Sequence, residues 1–208
     1  MEDVLDLYRE PYDPLRPVVC MDEMPVGLVA DARQPLKVRP GSDAKQDYEY
    51  IRNGSASVFG ALDLKAGSRL LRVEGRRTKI EFAHFLKAVV DELCPDATVV
   101  RLVLDNLTTH TKAALYDAFE PEEARRIARK LEFHYTPKHG SWLNAVELEF
   151  AAAKKQCLDT RTPDIEQLTN TLNDWQQQRN KDKVRVRWTF QTETARTKLK
   201  TVYPPIEA

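Results

Sequence analysis

Three carboxylates stand out by their settings. Asp22 closes the apolar run Pro17–Met21 (PVVCM) and Asp105 closes Val99–Leu104 (VVRLVL), each of which reads as a buried strand. Glu147 falls in a stretch where Leu143, Val146, Phe150, Ala153 and Cys157 recur at helical spacing. At 100° per residue Glu147 lies about 80° from the centre of that stripe, on the border of the core, where a side chain can reach over the end of a sheet. Glu149 falls about 160° from Glu147, cannot share its site, and reads as a surface acid. Asn144 and Lys154, at i−3 and i+7, flank Glu147 on its own face. Carboxylates converging on one point repel unless cations neutralise them, and hard oxygen donors suit Mg²⁺ or Mn²⁺. Two such ions about 4 Å apart are the usual arrangement for in-line displacement at a phosphodiester. Taken singly, each aspartate equally fits a turn or cap residue.

The elements that must position these acids follow from pattern. Ser55–Leu64 and Ser68–Gly75 are β-prone runs joined by Lys65-Ala66-Gly67, a hairpin signal. Residues 33–54 are polar and turn-rich and read as a long loop or an irregular excursion; Lys37, Arg39, Lys45 and Arg52 there fit a face toward DNA and a disordered segment equally. Thr78-Lys79-Ile80-Glu81 is a capping box opening a helix with Phe82, Leu86, Val89, Val90 and Leu93 inward, which stops near Cys94-Pro95. Helical sequence over about 111–130 precedes a short strand at Leu131–Tyr135. Ser141 suits the N-cap of a helix over about 142–158. Thr162-Pro163 suits the start of another, with Ile165, Leu168, Leu172 and Trp175 inward, and a last short helix covers Glu193–Val202. This order describes a mixed α/β domain with one sheet flanked by helices.

The 208 residues suit one domain, and 42% hydrophobic with 31% charged residues can build a core. No apolar run approaches a membrane span, and Met1-Glu2-Asp3 does not open a signal peptide. Cys20, Cys94 and Cys157, odd in number and far apart, argue for reduced thiols and a cytoplasmic setting. Equal counts of 32 acids and 32 bases hide a gradient. Residues 1–23 carry seven acids against two bases, and residues 179–200 carry eight bases against two acids. A zinc pattern, a Walker loop and a dinucleotide loop are all missing from the sequence, which removes those chemistries. His84 and His134 read as structural, and Trp142, Trp175 and Trp188 as packing residues.

The acids also sit in motifs that resemble a known family. Asp105-Asn106-Leu107-Thr108-Thr109-His110 is similar to the D-N-x-x-x-H signature of Tc/mariner superfamily transposases. Tyr135 to Glu147 (YTPKHGSWLNAVE) resembles their third-acid segment and Cys20-Met21-Asp22-Glu23 their first. Arg76 to His84, Lys130 to Tyr135, and the tail from Trp188 to Tyr203 resemble the bacterial insertion-sequence branch, the IS-six-thirty family. Ala145-Val146 departs from the Pro-Ile that many members carry before the glutamate, which alters the helix start and not its carboxylate.

The resemblance implies a ribonuclease H-like α/β fold, a central mixed five-stranded sheet flanked by helices. It implies a catalytic and metal-binding triad of Asp22, Asp105 and Glu147, which holds two Mg²⁺ ions with Mn²⁺ as substitute. Asn106, His110, Lys138, His139, Asn144 and Lys154 are expected around the acids or against DNA; for His110, Lys138 and His139 an ordinary turn or loop role is the competing reading. Residues 1–17 read as a linker-like lead-in, 18–180 as the catalytic domain and 181–208 as a basic extension with a short helix, with no helix-turn-helix module ahead of Asp22. The implied reaction is cleavage at transposon ends and strand transfer into a TA target. The implied partners are DNA, the absent helix-turn-helix half and a second copy of the chain, in a bacterial cytoplasm on the nucleoid. Two rival readings are another ribonuclease H-like nuclease, and an inactive remnant that binds DNA or intact transposase.

Overall fold

The computed structural model describes residues 1–33, 41, 48–108, 110–138 and 140–199. The chain runs α1 (Glu2–Arg9), β1 (Val18–Asp31), β2 (Tyr50–Asp63), β3 (Arg69–Glu74), α2 (Lys79–Ala88) and β4 (Val100–Leu104). It continues through α3 (Ala113–Ala118), α4 (Pro121–Lys130), β5 (Leu131–Tyr135), α5 (Val146–Gln156), α6 (Ile165–Lys181) and α7 (Thr192–Lys198). The strands form one mixed sheet in the order β3-β2-β1-β4-β5. β1 to β3 are antiparallel neighbours, while β4 runs parallel to both β1 and β5.

Because strand side chains alternate between faces, the sheet sorts its residues into two cores. Val19, Met21, Phe59, Ala61, Leu102 and Leu104 face α2, α3 and α4. Val18, Cys20, Val58, Leu62, Leu71 and Val103 face α1, α5 and α6. The two β4 sets, Leu102 and Leu104 against Val103, explain why that strand is apolar but for Arg101, which pairs with Glu10: both of its faces are covered.

Several boundaries follow the local chemistry. Thr78 Oγ1 accepts from Ile80 N at 3.2 Å and Thr78 N donates to Glu81 Oε2 at 3.0 Å, so the capping box opens α2. α2 runs on through a π-turn, Val89–Leu93, before Cys94-Pro95. Gly67, at φ +76°, makes the β2–β3 turn; its Cα packs so near the Lys183 carbonyl that a Cβ would stand 2.8 Å from that oxygen.

Other elements differ from the sequence expectation. The strand begun at Val18 does not end on Asp22 but runs to Asp31, because β2 pairs with it far beyond the reach of β4. Residues 50–54, expected in a loop, belong to β2; of the cations named there, Lys37, Arg39 and Lys45 lie outside the described residues. The helical stretch over 111–130 is two helices, broken at Phe119-Glu120 ahead of Pro121. Ser141 opens a 3-10 turn, Ser141–Leu143, and α5 starts only at Val146. The N-cap of α6 is Asp164, accepting from Gln167 N at 2.8 Å, and Ile165 faces solvent. The first nine residues, read as lead-in, hold the helix α1 with Val4, Leu5, Leu7 and Tyr8 buried. Residues 200–202 of the last expected helix lie outside the described residues.

Candidate active site

The parallel register places Asp22 beside Asp105. The last β1–β4 pair is Cys20 with Val103, and each aspartate stands two residues beyond it on its own strand. Alternation then turns Asp22 to the face of Cys20 and Val103, the face that α5 covers. Across β1–β2, Asp22 pairs with Gly60, which has no side chain to shield it. The Phe150 ring fills that gap, and a Cβ on Gly60 would stand 2.5 Å from Phe150 Cε1. This close approach seats α5 on the sheet beside Asp22. Glu147, nearly one turn before Phe150 in α5, is exposed at the sheet end.

The electrostatics tie the three acids together. Burial, and the charges of Asp105, Glu147 and Glu23, raise the Asp22 carboxyl to about 7 against the pull of the hydrogen bond from Glu23 N. That bond, to Oδ1, is 2.8 Å long. Asn144, buried, donates Nδ2 to Met21 O at 2.7 Å and lies 3.5 Å from Asp22 Oδ2, so it ties the start of α5 to β1 beside that carboxylate.

Behind Asp105 lies a contact that sequence spacing did not single out. Glu23 points to the face opposite Asp22, and its side chain is buried against His110, with Oε1 2.9 Å from Nε2. Nδ1 of His110 stands 2.5 Å from Asp105 Oδ1, while its N–H is directed to the Asp105 carbonyl oxygen at 3.4 Å. The ring stacks on Phe82 at 4.5 Å, and Tyr135 Oη donates to the His110 carbonyl. Burial pushes the His110 pKa down, yet the hydrogen bonds and charges of Glu23 and Asp105 together raise it. Glu23 adjoins a candidate acid in the first-acid segment, and that adjacency was its one signal in the sequence.

The remaining expected residues divide. Asn106 and Lys138, both exposed, line a cleft of about 340 Å³ with Asp105, Leu107, Pro137 and Ser141. Lys154 is exposed two turns along α5, about 10 Å from Glu147 along the axis, and is not brought to the acids. His139 lies outside the described residues. Glu149, expected on the surface, is buried: Oε1 meets Arg69 Nε and Arg179 Nε, each at 2.7 Å. Its side of α5 is covered by β3 and α6, which bring those two arginines.

The donor set suits a hard divalent cation. Asp22, Asp105 and Glu147 offer carboxylate oxygens, and the buried Asn144 Oδ1 beside Asp22 has no hydrogen-bond partner. Among the described residues these side chains are not drawn into a closed cage, in keeping with mutual repulsion and with the His110 grip on Asp105.

Residues 17–169 match the DDE superfamily endonuclease family. The chain belongs to that family. This DDE endonuclease domain is also similar in fold to solved structures of the Mos1 mariner transposase. A paired-end complex with Mn matches at TM-score 0.56 and 18% identity, over 84% of this chain and 52% of that one. A strand transfer complex matches at 0.54 and 16%, over 84% and 54%, and a pre-cleavage transpososome at 0.53 and 17%, over 88% and 59%. The fold of the DDE domain is thus ribonuclease H-like, a mixed five-stranded sheet flanked by helices. The chain spans between half and three-fifths of the length of these structures. A search of curated protein sequences finds no match.

Proposed function

We propose that this chain is the catalytic domain of a DNA transposase from the bacterial insertion-sequence branch of the Tc/mariner superfamily. It cuts the phosphodiester at the ends of its element with water and joins the freed 3′-hydroxyl to target DNA at a TA step. One observation supports this reading: Asp22 and Asp105 stand at matching positions beyond the last β1–β4 pair, and the charges of Asp105 and Glu147 both act on the Asp22 carboxyl.

In this reading Asp22, Asp105 and Glu147 hold two Mg²⁺ or Mn²⁺ ions. When bound, the ions supply Lewis-acid assistance to the attacking oxygen and to the departing 3′ oxygen. The protein residues orient and balance charge. Asn144 fixes the backbone that carries Asp22, and His110, backed by Glu23, holds the loop that carries Asp105. Asn106, Lys138 and His139 meet the DNA strand beside the acids, and Lys154 meets backbone further along α5. The domain works as a homodimer in the bacterial cytoplasm, with an N-terminal helix-turn-helix half choosing the DNA ends. Among the described residues, no helix is long and apolar enough to cross a membrane.

The test is Mg²⁺-dependent nicking and strand transfer on DNA carrying the element ends, with the upstream half supplied. End cleavage and joining that Asp105→Ala abolishes is the expected result. Cleavage of RNA–DNA hybrids or branched DNA without joining would move the chain to another nuclease of this fold. Asp105→Ala behaving as wild type would end the enzymatic reading.

A further inference from the structure

We propose that Tyr8 is a positioning residue for Glu147, which makes helix α1 a working part of the active site. The inference rests on Glu147 being a metal-binding carboxylate, as proposed above.

The buried Tyr8 hydroxyl meets three groups: the Leu143 carbonyl at 2.9 Å, Cys20 Sγ at 3.1 Å and Ala145 N at 3.4 Å. A phenol has one hydrogen, and a carbonyl can only accept, so that hydrogen goes to Leu143. The Ala145 N–H and the Cys20 S–H must then donate to the phenol oxygen. Burial raises the Cys20 thiol to about 12, which keeps its hydrogen in place.

The hydroxyl therefore ties both ends of the turn Leu143-Asn144-Ala145, from which α5 springs. The middle residue, Asn144, is bonded to the Met21 carbonyl of β1. Ala145 is the N-cap of α5 and offers no capping side chain. Tyr8 supplies from α1 an acceptor that α5 lacks, two residues before Glu147. The turn is thus held to β1 beside Asp22 on one side and to α1 on the other.

α1 is in turn seated by the far end of the chain. The Trp188 ring meets the Tyr8 ring edge-on at 5.0 Å, and Leu5 packs in one cluster with Leu143 and Ala195. Arg196 makes two 2.7 Å bonds to Glu2, Thr192 Oγ1 donates to Asp6 at 2.9 Å, and Arg9 pairs with Glu193 at 2.8 Å. All of these groups except Leu143 lie outside the stretch that carries the family match.

The test uses the full chain and two readouts besides activity: Mn²⁺ affinity by calorimetry, and amide hydrogen exchange over residues 145–148. Tyr8→Phe keeps the ring against Trp188 and removes the hydroxyl. Because the hydroxyl acts on Glu147 through the turn and not by direct contact, the variant is expected to weaken Mn²⁺ binding by up to about tenfold, the low end for loss of a direct outer-shell partner, and to speed exchange over 145–148 with the far-UV spectrum unchanged. Tyr116→Phe, which alters an exposed phenol on α3, is expected to match wild type in both. Wild-type Mn²⁺ affinity in Tyr8→Phe, with Glu147→Gln clearly weakened, overturns the inference. Wild-type affinity in Glu147→Gln overturns the metal reading and this inference with it. Should Tyr8→Phe fail to fold, Leu5→Ala loosens the same helix without touching the hydroxyl, and the same two results decide.

Discussion

Glu23 Oε1 lies 2.9 Å from His110 Nε2, behind the sheet face that carries Asp22. Consecutive residues of one strand thus reach the candidate site from opposite sides, Asp22 directly and Glu23 through an imidazole. Glu23→Ala leaves His110 buried against Asp105 alone. Breaking a buried pair in this way costs about 3–5 kcal/mol, and nicking should fall at least tenfold. Glu23→Gln keeps an acceptor for Nε2–H and should recover most of the stability. Urea titration and a nicking assay on both variants check this.

The raised Asp22 pKa gives a pH dependence with a definite sign. An acid that titrates near 3.8 unfolded and about 7 folded favours the folded chain only while protonated. Metal-free stability should therefore decline as pH rises from about 4 through 7. Asp22→Asn should flatten that decline and melt higher than wild type at pH 8 in chelator. His110, also raised on folding, works in the same direction, so some slope above its unfolded pKa should remain. Thermal melts across this range, with and without Mn²⁺, check both statements.

Glu147 and Glu149 are two residues apart on α5 and should behave oppositely. Glu147→Gln alters an exposed side chain and should abolish cleavage with stability within about 0.5 kcal/mol of wild type. Glu149→Ala leaves Arg69, fully buried, and Arg179 without their carboxylate, and should lose about 3–5 kcal/mol. Paired denaturation and nicking measurements separate the two.

Gly60→Ala drives a methyl into Phe150 and lifts α5 from the sheet beside Asp22. Overpacking of this kind costs about 1–3 kcal/mol. Nicking should fall more than that loss predicts, because Glu147 moves with the helix. Measuring turnover well below the melting temperature isolates the geometric part.

Many of the chain's cations are already engaged: Arg196 with Glu2, Arg101 with Glu10, Arg179 with Glu149, and Arg126 with Asp91 and Glu123. Residues 1–208 alone should bind DNA weakly, in the roughly 10⁻⁴–10⁻⁶ M range of non-specific complexes, with affinity falling steeply as salt rises. Fluorescence anisotropy across a salt series checks this.

Signals confined to a few neighbouring residues were readable in the sequence. The capping box at Thr78, the bounds of β5 and the apolar β4 each depend on local chemistry, and the structure has them. What the sequence hid depends on partners far along the chain. Asp22 ends the pairing with β4 but not the strand, since β2 continues beside it. Helical geometry correctly turned Glu149 away from Glu147, but it could not reveal that β3 and α6 bring Arg69 and Arg179 to that side. α1 carries Val4, Leu5, Leu7 and Tyr8 in a short acidic stretch, and their purpose shows only in the fold, where Leu5 packs with Leu143 and Ala195 and the other three join the core that α5 and α6 cover. The acidic front and basic back, a gradient along the sequence, meet in part at Glu2–Arg196.

That meeting has a consequence for the order of synthesis. Synthesis adds α1 long before α7, and the two stand side by side in the fold. If the α7 contacts seat α1 and so steady the start of α5, a nascent chain already carrying Asp22, Asp105 and Glu147 lacks that support until α7 has emerged. The brace then ties the finished geometry around those acids to the emergence of α7, more than 40 residues after Glu147.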